Sequence, residues 1–184
     1  MFKRFCLILL AAFVCVSFDT RLSEIFNIKN ATVSFLSKAN FEKIKASSTQ
    51  LKGTLDISKR SFAFSLPICS FDGFLNKLQK KHYCERYVEG DKFPTAAFKG
   101  KIIEEVDLTV NGTYLVRAKG MLLLHGVEKE MIINSNVVVK DGEITINAKF
   151  PITLANHDMK LSKMSTIVIA KVVDVEIKIA LSAG

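Results

Sequence analysis

The stretch Val172-Val173-Asp174-Val175-Glu176-Ile177-Lys178-Ile179-Ala180-Leu181 decides the fold. Val173, Val175, Ile177 and Ile179 point one way along an extended chain, and Asp174, Glu176 and Lys178 point the other. That period of two belongs to a strand with one buried and one wet face. The same pattern recurs upstream. Ile144, Ile146, Ala148 and Phe150 alternate with Glu143, Thr145, Asn147 and Lys149, and Phe62, Phe64 and Leu66 alternate with smaller residues. Faces like these must meet a common core. Asn111-Gly112 and Asp141-Gly142 readily take the positive φ of tight two-residue turns, so neighbouring strands are expected to be antiparallel. Strands are expected near 31–38, 48–57, 60–68, 95–109, 113–124, 127–139, 143–151 and 169–181. About eight strands with short turns define an all-β barrel or sandwich.

One segment breaks the pattern. Phe71, Phe74, Leu75 and Leu78 fall at helical spacing, which predicts a short amphipathic helix over 71–81, capped by Ser70. Lys77, Lys80 and Lys81 gather toward its end, where cations complement the helix dipole. Such a helix either plugs one end of the core, covers a barrel mouth as a lid, or meets anionic lipid head groups.

The amino terminus carries Lys3 and Arg4 followed by an apolar run from Phe5 to Val16, the form of a secretory signal peptide with cleavage expected after Ser17. Residues 18–184 then form one domain, with 24 basic against 18 acidic residues scattered along it. Scattered charge of this size reads as a solvated surface and gives no nucleic-acid groove. Two of the four cysteines, Cys69 and Cys84, remain in the mature chain. An exported address permits a disulfide between them. Two unpaired thiols are the other reading, and spacing alone does not choose.

Catalytic motifs are missing: the sequence holds no G-x-S-x-G elbow, S-x-x-K, H-E-x-x-H or glycine-rich phosphate loop. His82-Tyr83-Cys84 is a weak metal motif, because a structural zinc site takes about four ligands in ordered spacing. His125 sits between two expected strands as a turn residue. What remains is the apolar inventory, 49% of the chain with 14 Phe. Side chains either fill such a barrel or leave a cavity for one apolar ligand. Read by apolarity, the inward-facing set is Phe62, Phe64, Leu66 and Phe98, then Tyr114, Val116, Leu122 and Leu124. Ile144, Ile146, Phe150, Val173, Val175, Ile177 and Ile179 continue it, with Phe71, Phe74 and Leu78 closing one end.

Two stretches carry a resemblance. Glu89-Gly90-Asp91-Lys92-Phe93-Pro94-Thr95-Ala96-Ala97-Phe98-Lys99 and Gly120-Met121-Leu122-Leu123-Leu124-His125-Gly126-Val127-Glu128-Lys129-Glu130 together resemble the YceI-like family. The positions that match are His82, Pro94, Thr95, Phe98, His125, Gly126 and Val127. The resemblance implies a lipocalin-like antiparallel barrel in the bacterial periplasm, holding a polyisoprenoid chain such as a quinone tail in an apolar tunnel, with no cofactor required. Lys80-Lys81-His82-Tyr83 and the two cysteines depart from the family pattern. The expectation is therefore a non-catalytic lipid binder that contacts an apolar lipid and a membrane surface but no nucleic acid. Two alternatives stand beside it: a fully packed envelope or stress-related structural protein acting through its surface, and a metal protein or enzyme using His82 or His125.

Overall fold

Strands β1 (Ile25–Lys38), β2 (Lys43–Ser48), β3 (Lys52–Asp56), β4 (Ser61–Pro67), β5 (Thr95–Ile102), β6 (Gly112–Leu124), β7 (Val127–Lys140), β8 (Glu143–Thr153) and β9 (Val172–Ala183) form one antiparallel sheet in a computed structural model that describes residues 25–160 and 165–184. The expected signal peptide, 1–17, lies outside the described residues. β9 pairs with β1 from Phe26↔Ala183 to Ser37↔Val173, which closes the sheet into a barrel. Closure pairs the last strand along both edges, with β8 and with β1.

Nine segments fill eight positions around this barrel. β2 and β3 pair with the same edge of β1 in one register, Val33 opposite Ser48 and Phe26 opposite Leu55. They are two halves of one strand broken at 49–51. β1 itself shifts register against β9 between Ile28 and Asn30, just where the break falls opposite. Asp141-Gly142 makes the expected two-residue turn, both residues at positive φ, and so does His125-Gly126.

Three expectations change. Asn111-Gly112 is not a hairpin turn: β5 stops at Ile102, and 103–111 is a loop whose Leu108 is buried at the barrel end. Asn111 instead receives the Asp141 N–H on its side chain at 3.0 Å, bracing the neighbouring turn. β9 begins at Val172, after a single helical turn, α2 (Ser165–Val168). The helical segment is also displaced. α1 (Lys77–His82) runs on into a wider π turn, Tyr83–Tyr87, giving one helical unit over 77–87.

The displacement has a physical cause. Asp72 bridges to Ser47 of β2, and Gly73 follows at φ 99°, so the chain at 71–74 is extended and turning. Asn76, not Ser70, caps the helix by accepting the Gln79 N–H at 2.8 Å, and Gln79 Oε1 accepts the Leu75 N–H. The pair is a variant of the capping box, with the Gln79 side chain reaching the N–H one residue before the cap. Ser70 hydrogen-bonds the Pro67 carbonyl and the Ser48 hydroxyl.

The barrel interior divides along its axis. The lower half is the more tightly packed, with Leu55, Val116, Val137, Ile144 and Leu181 all fully buried. The upper half is covered by the connection 68–94 and by residues 154–160 and 165–171, and contains the other cluster of buried residues.

Candidate functional site

The upper half holds a cavity of about 210 Å³. Strand alternation supplies its walls: Val33 and Phe35 from β1, Phe64 and Leu66 from β4, Phe98 from β5, Leu122 and Leu124 from β6, Phe150 from β8, and Val173, Val175, Ile177 and Ile179 from β9. The covering connections supply its roof, with Ile68, Phe71, Phe74, Tyr83, Val88, Leu154, Met159 and Ile169. Protein interiors rarely keep a void larger than one water, which needs roughly 10–15 Å³. A space this large, walled by aliphatic and phenyl groups, is the size and chemistry of a site for an apolar molecule. Below it lies a smaller chamber of about 60 Å³ lined in part by Phe62, Val116 and Ile146. Phe64, Phe98, Phe150, Ile177 and Ile179 line both and form the waist between them.

Three expected lining residues stand elsewhere. Leu78 is exposed on the outer side of α1 and closes nothing. Tyr114 packs on the lower cluster and hydrogen-bonds the Val110 carbonyl at 2.9 Å. Ile144 lies fully buried in the packed lower half. Conversely, Phe35 and Tyr83 were not anticipated. Their rings stack at 5.5 Å, with Phe71 and Phe74 against them at 5.1 and 6.2 Å from Phe35. The alternation Val33, Phe35 in the first strand carried a signal for Phe35. Tyr83 carried none, since its burial depends on the shifted helix.

Several polar groups on the cavity wall are already engaged. Ser37 accepts the Ala170 N–H at 2.9 Å, and the Tyr83 hydroxyl donates to the Ile68 carbonyl at 3.0 Å. Burial pushes the Tyr83 phenol well above its usual range, so it stays protonated. Gln79 donates to Glu42 at 2.5 Å, tying α1 to the β1–β2 turn.

Cys69 and Cys84 form a disulfide, with Cα atoms 5.2 Å apart, pinning the π turn to the end of β4. Gly90 packs over it, where a Cβ would come within 2.2 Å of Cys69 Sγ. Because Cys84 is bonded to Cys69, the His82-x-Cys84 pair is not available to a metal. Among the described residues, no cluster of His, Cys, Asp and Glu could hold one. Replacing both cysteines with serine is expected to cost about 3 kcal/mol for a loop of this length. Urea unfolding checks this as a lower midpoint, with a slope no shallower than before because the unlinked chain exposes at least as much surface when unfolded.

The motif residues meet at the β6–β7 turn. His125, largely buried, donates from Nδ1 to the His157 carbonyl at 3.1 Å, and its Nε2 lies 3.2 Å from the Glu89 carboxylate, off the line of a hydrogen bond. Phe93 packs on the His125 ring at 4.4 Å. Gly126, at φ 74°, leaves room for that Phe93 ring, which a Cβ would meet at 2.5 Å. Pro94 offers its carbonyl to the Ile68 N–H at 2.8 Å, holding the roof to the start of β5 at Thr95. Val127 opens β7 and accepts from His157 Nδ1 at 3.4 Å. His82 stands apart, half-buried on α1. These residues assemble a brace for the roof.

His157 is buried, and desolvation holds its imidazole below the usual histidine range. The neutral ring is thus favoured in the folded state, and stability present above about pH 6.5 is lost as pH falls from there toward the lowered folded value. His157→Asn, which keeps the donor to Val127 without titrating, is expected to flatten that decline. Urea midpoints at pH 8 and pH 5 for both proteins check it.

A closed antiparallel barrel, packed below and hollow above, with an apolar cavity under a braced roof, defines the class of lipocalin-like binding barrels. The YceI-like domain profile matches residues 17–181, and the chain belongs to that family. No curated protein sequence matches the chain. Among solved structures, it is similar to a polyisoprenoid-binding domain from Saccharophagus degradans implicated in plant cell wall breakdown, with TM-score 0.72, 16% identity, and 86% of this chain and 98% of that chain covered. BcnA of Burkholderia cenocepacia is similar with TM-score 0.68, 16% identity and coverage of 82% and 95%. The YceI protein of Campylobacter jejuni follows with TM-score 0.53, 15% identity and 97% of each chain.

Proposed function

We propose that this chain is a non-catalytic carrier that holds one linear polyisoprenoid, such as a quinone tail, or a similar long apolar lipid. The observation that carries the reading is the unfilled apolar cavity of about 210 Å³. Two further points support it. Of the polar side chains on the wall, Ser37 and Tyr83 are hydrogen-bonded to backbone and Gln79 to Glu42. One similar solved structure is named for polyisoprenoid binding. The carrier works in the bacterial periplasm after loss of the segment ending near Ser17, where Cys69 and Cys84 can oxidise.

Binding is driven by area removed from water, about 0.8 kcal/mol per buried methylene. Calorimetric titration with polyprenyl alcohols of graded length tests the proposal. We expect one saturable site, a negative heat-capacity change, and affinity that climbs with chain length and then levels once cavity and lower chamber are full. Absence of saturable uptake at every length overturns it.

A further inference from the structure

The end of the barrel above the cavity is unusually greasy on its outside. Phe41 at the tip of the β1–β2 turn is 83% exposed, Leu75 84%, Leu78 59% and Ile167 45%. They are not scattered. The Phe41 N–H donates to the Ile167 carbonyl at 3.4 Å, and Glu42, the next residue, receives the Gln79 amide of α1, the helix that carries Leu78. Leu75 is held to the same Gln79. The Gln79 amide, on a residue that also lines the cavity, therefore ties α1 to the β1–β2 turn, and the Phe41 N–H ties that turn to the segment of Ile167.

Cations lie close by in the chain. The segment leading into α1 is anchored to β2 by the Ser47–Asp72 bridge. Lys43 and Lys45 follow Phe41 by two and four residues on the outer face of β2, and Lys77, at the start of α1, stands between Leu75 and Leu78. All three are exposed, and among the described residues none makes an ion pair. Exposed aromatic and aliphatic tips with such lysines beside them in the chain match a surface that is acidic at its face and apolar just beneath. No helix among the described residues is long and apolar enough to cross a membrane, so the contact is with the surface.

We infer that this end of the barrel docks on an anionic phospholipid bilayer, with Phe41, Leu75, Leu78 and Ile167 entering the head-group boundary and Lys43, Lys45 and Lys77 contacting lipid phosphates. The inference rests on the carrier reading and adds to it the side from which the lipid passes. An apolar chain moving between bilayer and cavity at this end need not cross open water.

The chain contains no tryptophan, so one introduced indole reports its own surroundings. The test uses the full chain carrying Phe41→Trp, and a control carrying Leu115→Trp on the barrel wall, where Leu115 is 76% exposed. Each is mixed with vesicles of phosphatidylglycerol and phosphatidylcholine, or of phosphatidylcholine alone. We expect a blue shift, and quenching by brominated acyl chains, for Phe41→Trp with the anionic vesicles only, and none for Leu115→Trp. Adding Lys43→Glu and Lys77→Glu is expected to weaken the apparent affinity at least about ten-fold.

No shift for Phe41→Trp, or the same shift in both proteins, overturns the docking. A shift that appears without vesicles as protein concentration rises also overturns it, because a second copy then covers this face. Lipid extracted from the same preparations and weighed by mass spectrometry reports on the carrier reading separately. Lipid present with no shift sinks the docking alone.

Discussion

Stripping the proposed lipid ligand is expected to lower the melting temperature by roughly 10–20 °C. The expectation follows from the cavity itself. An unfilled space of about 210 Å³, at about 24 cal/mol per Å³, represents on the order of 5 kcal/mol that an occupying chain restores. For a chain of this size each kcal/mol moves the midpoint by about 2–4 °C. Thermal circular dichroism before and after organic extraction checks it, and readdition of the extracted lipid should recover the loss. A midpoint indifferent to extraction would mean that the upper half holds no ligand contributing to stability.

Filling the same space from within should separate stability from uptake. Ala96 lines the cavity at the start of β5, opposite Leu66 of β4, and Val175 lines it on β9. Ala96→Phe with Val175→Phe places ring atoms in space that is already vacant, so the usual cost of overpacking does not arise. The new rings also gain dispersion contacts. The fold is expected to hold or gain stability when empty. Lipid uptake should fall about 100-fold, since displacing some four methylenes forfeits about 3 kcal/mol. Leu181→Phe serves as the contrast. Leu181 is fully buried in the packed lower half, and enlarging it there should cost about 1–3 kcal/mol while leaving uptake nearly unchanged. Equal destabilisation in both proteins would argue against a hollow upper half.

Much of this architecture is legible in the sequence because strand alternation is local. Val173, Val175, Ile177 and Ile179 face inward as their spacing requires, and so do Phe62, Phe64 and Leu66. Once parity is known, an antiparallel partner inherits it through register. What alternation does not carry is position along the barrel axis. Ile144 and Phe150 lie on the same face of β8, yet one is in solid core and the other at the waist, because only tertiary packing decides where the interior stays open.

The helix was misread for a related reason. Phe71, Phe74, Leu75 and Leu78 keep helical spacing, but Gly73 and the bridge from Asp72 to β2 break the chain there, while the capping box at Asn76 starts the helix later. Phe71 and Phe74 then reach the cavity from an irregular segment, and Leu75 and Leu78 face outward. The break between β2 and β3 was hidden as well, since Thr49-Gln50-Leu51 shows no turn signature and the interruption matches a bulge on β1. The matching residues around Pro94 and His125 pointed to the family, although their work here is to brace the roof of the cavity.

The central claim is that the upper cavity is occupied by a long apolar chain in the cell. Purifying the protein from its own host without detergent, extracting it with organic solvent and identifying the extract by mass spectrometry tests this most directly. The account predicts a polyisoprenoid or comparable linear lipid at close to one molecule per chain, absent from the Ala96→Phe/Val175→Phe protein prepared in the same way. Native protein that yields no lipid, or yields the same lipid from the filled variant, would contradict it.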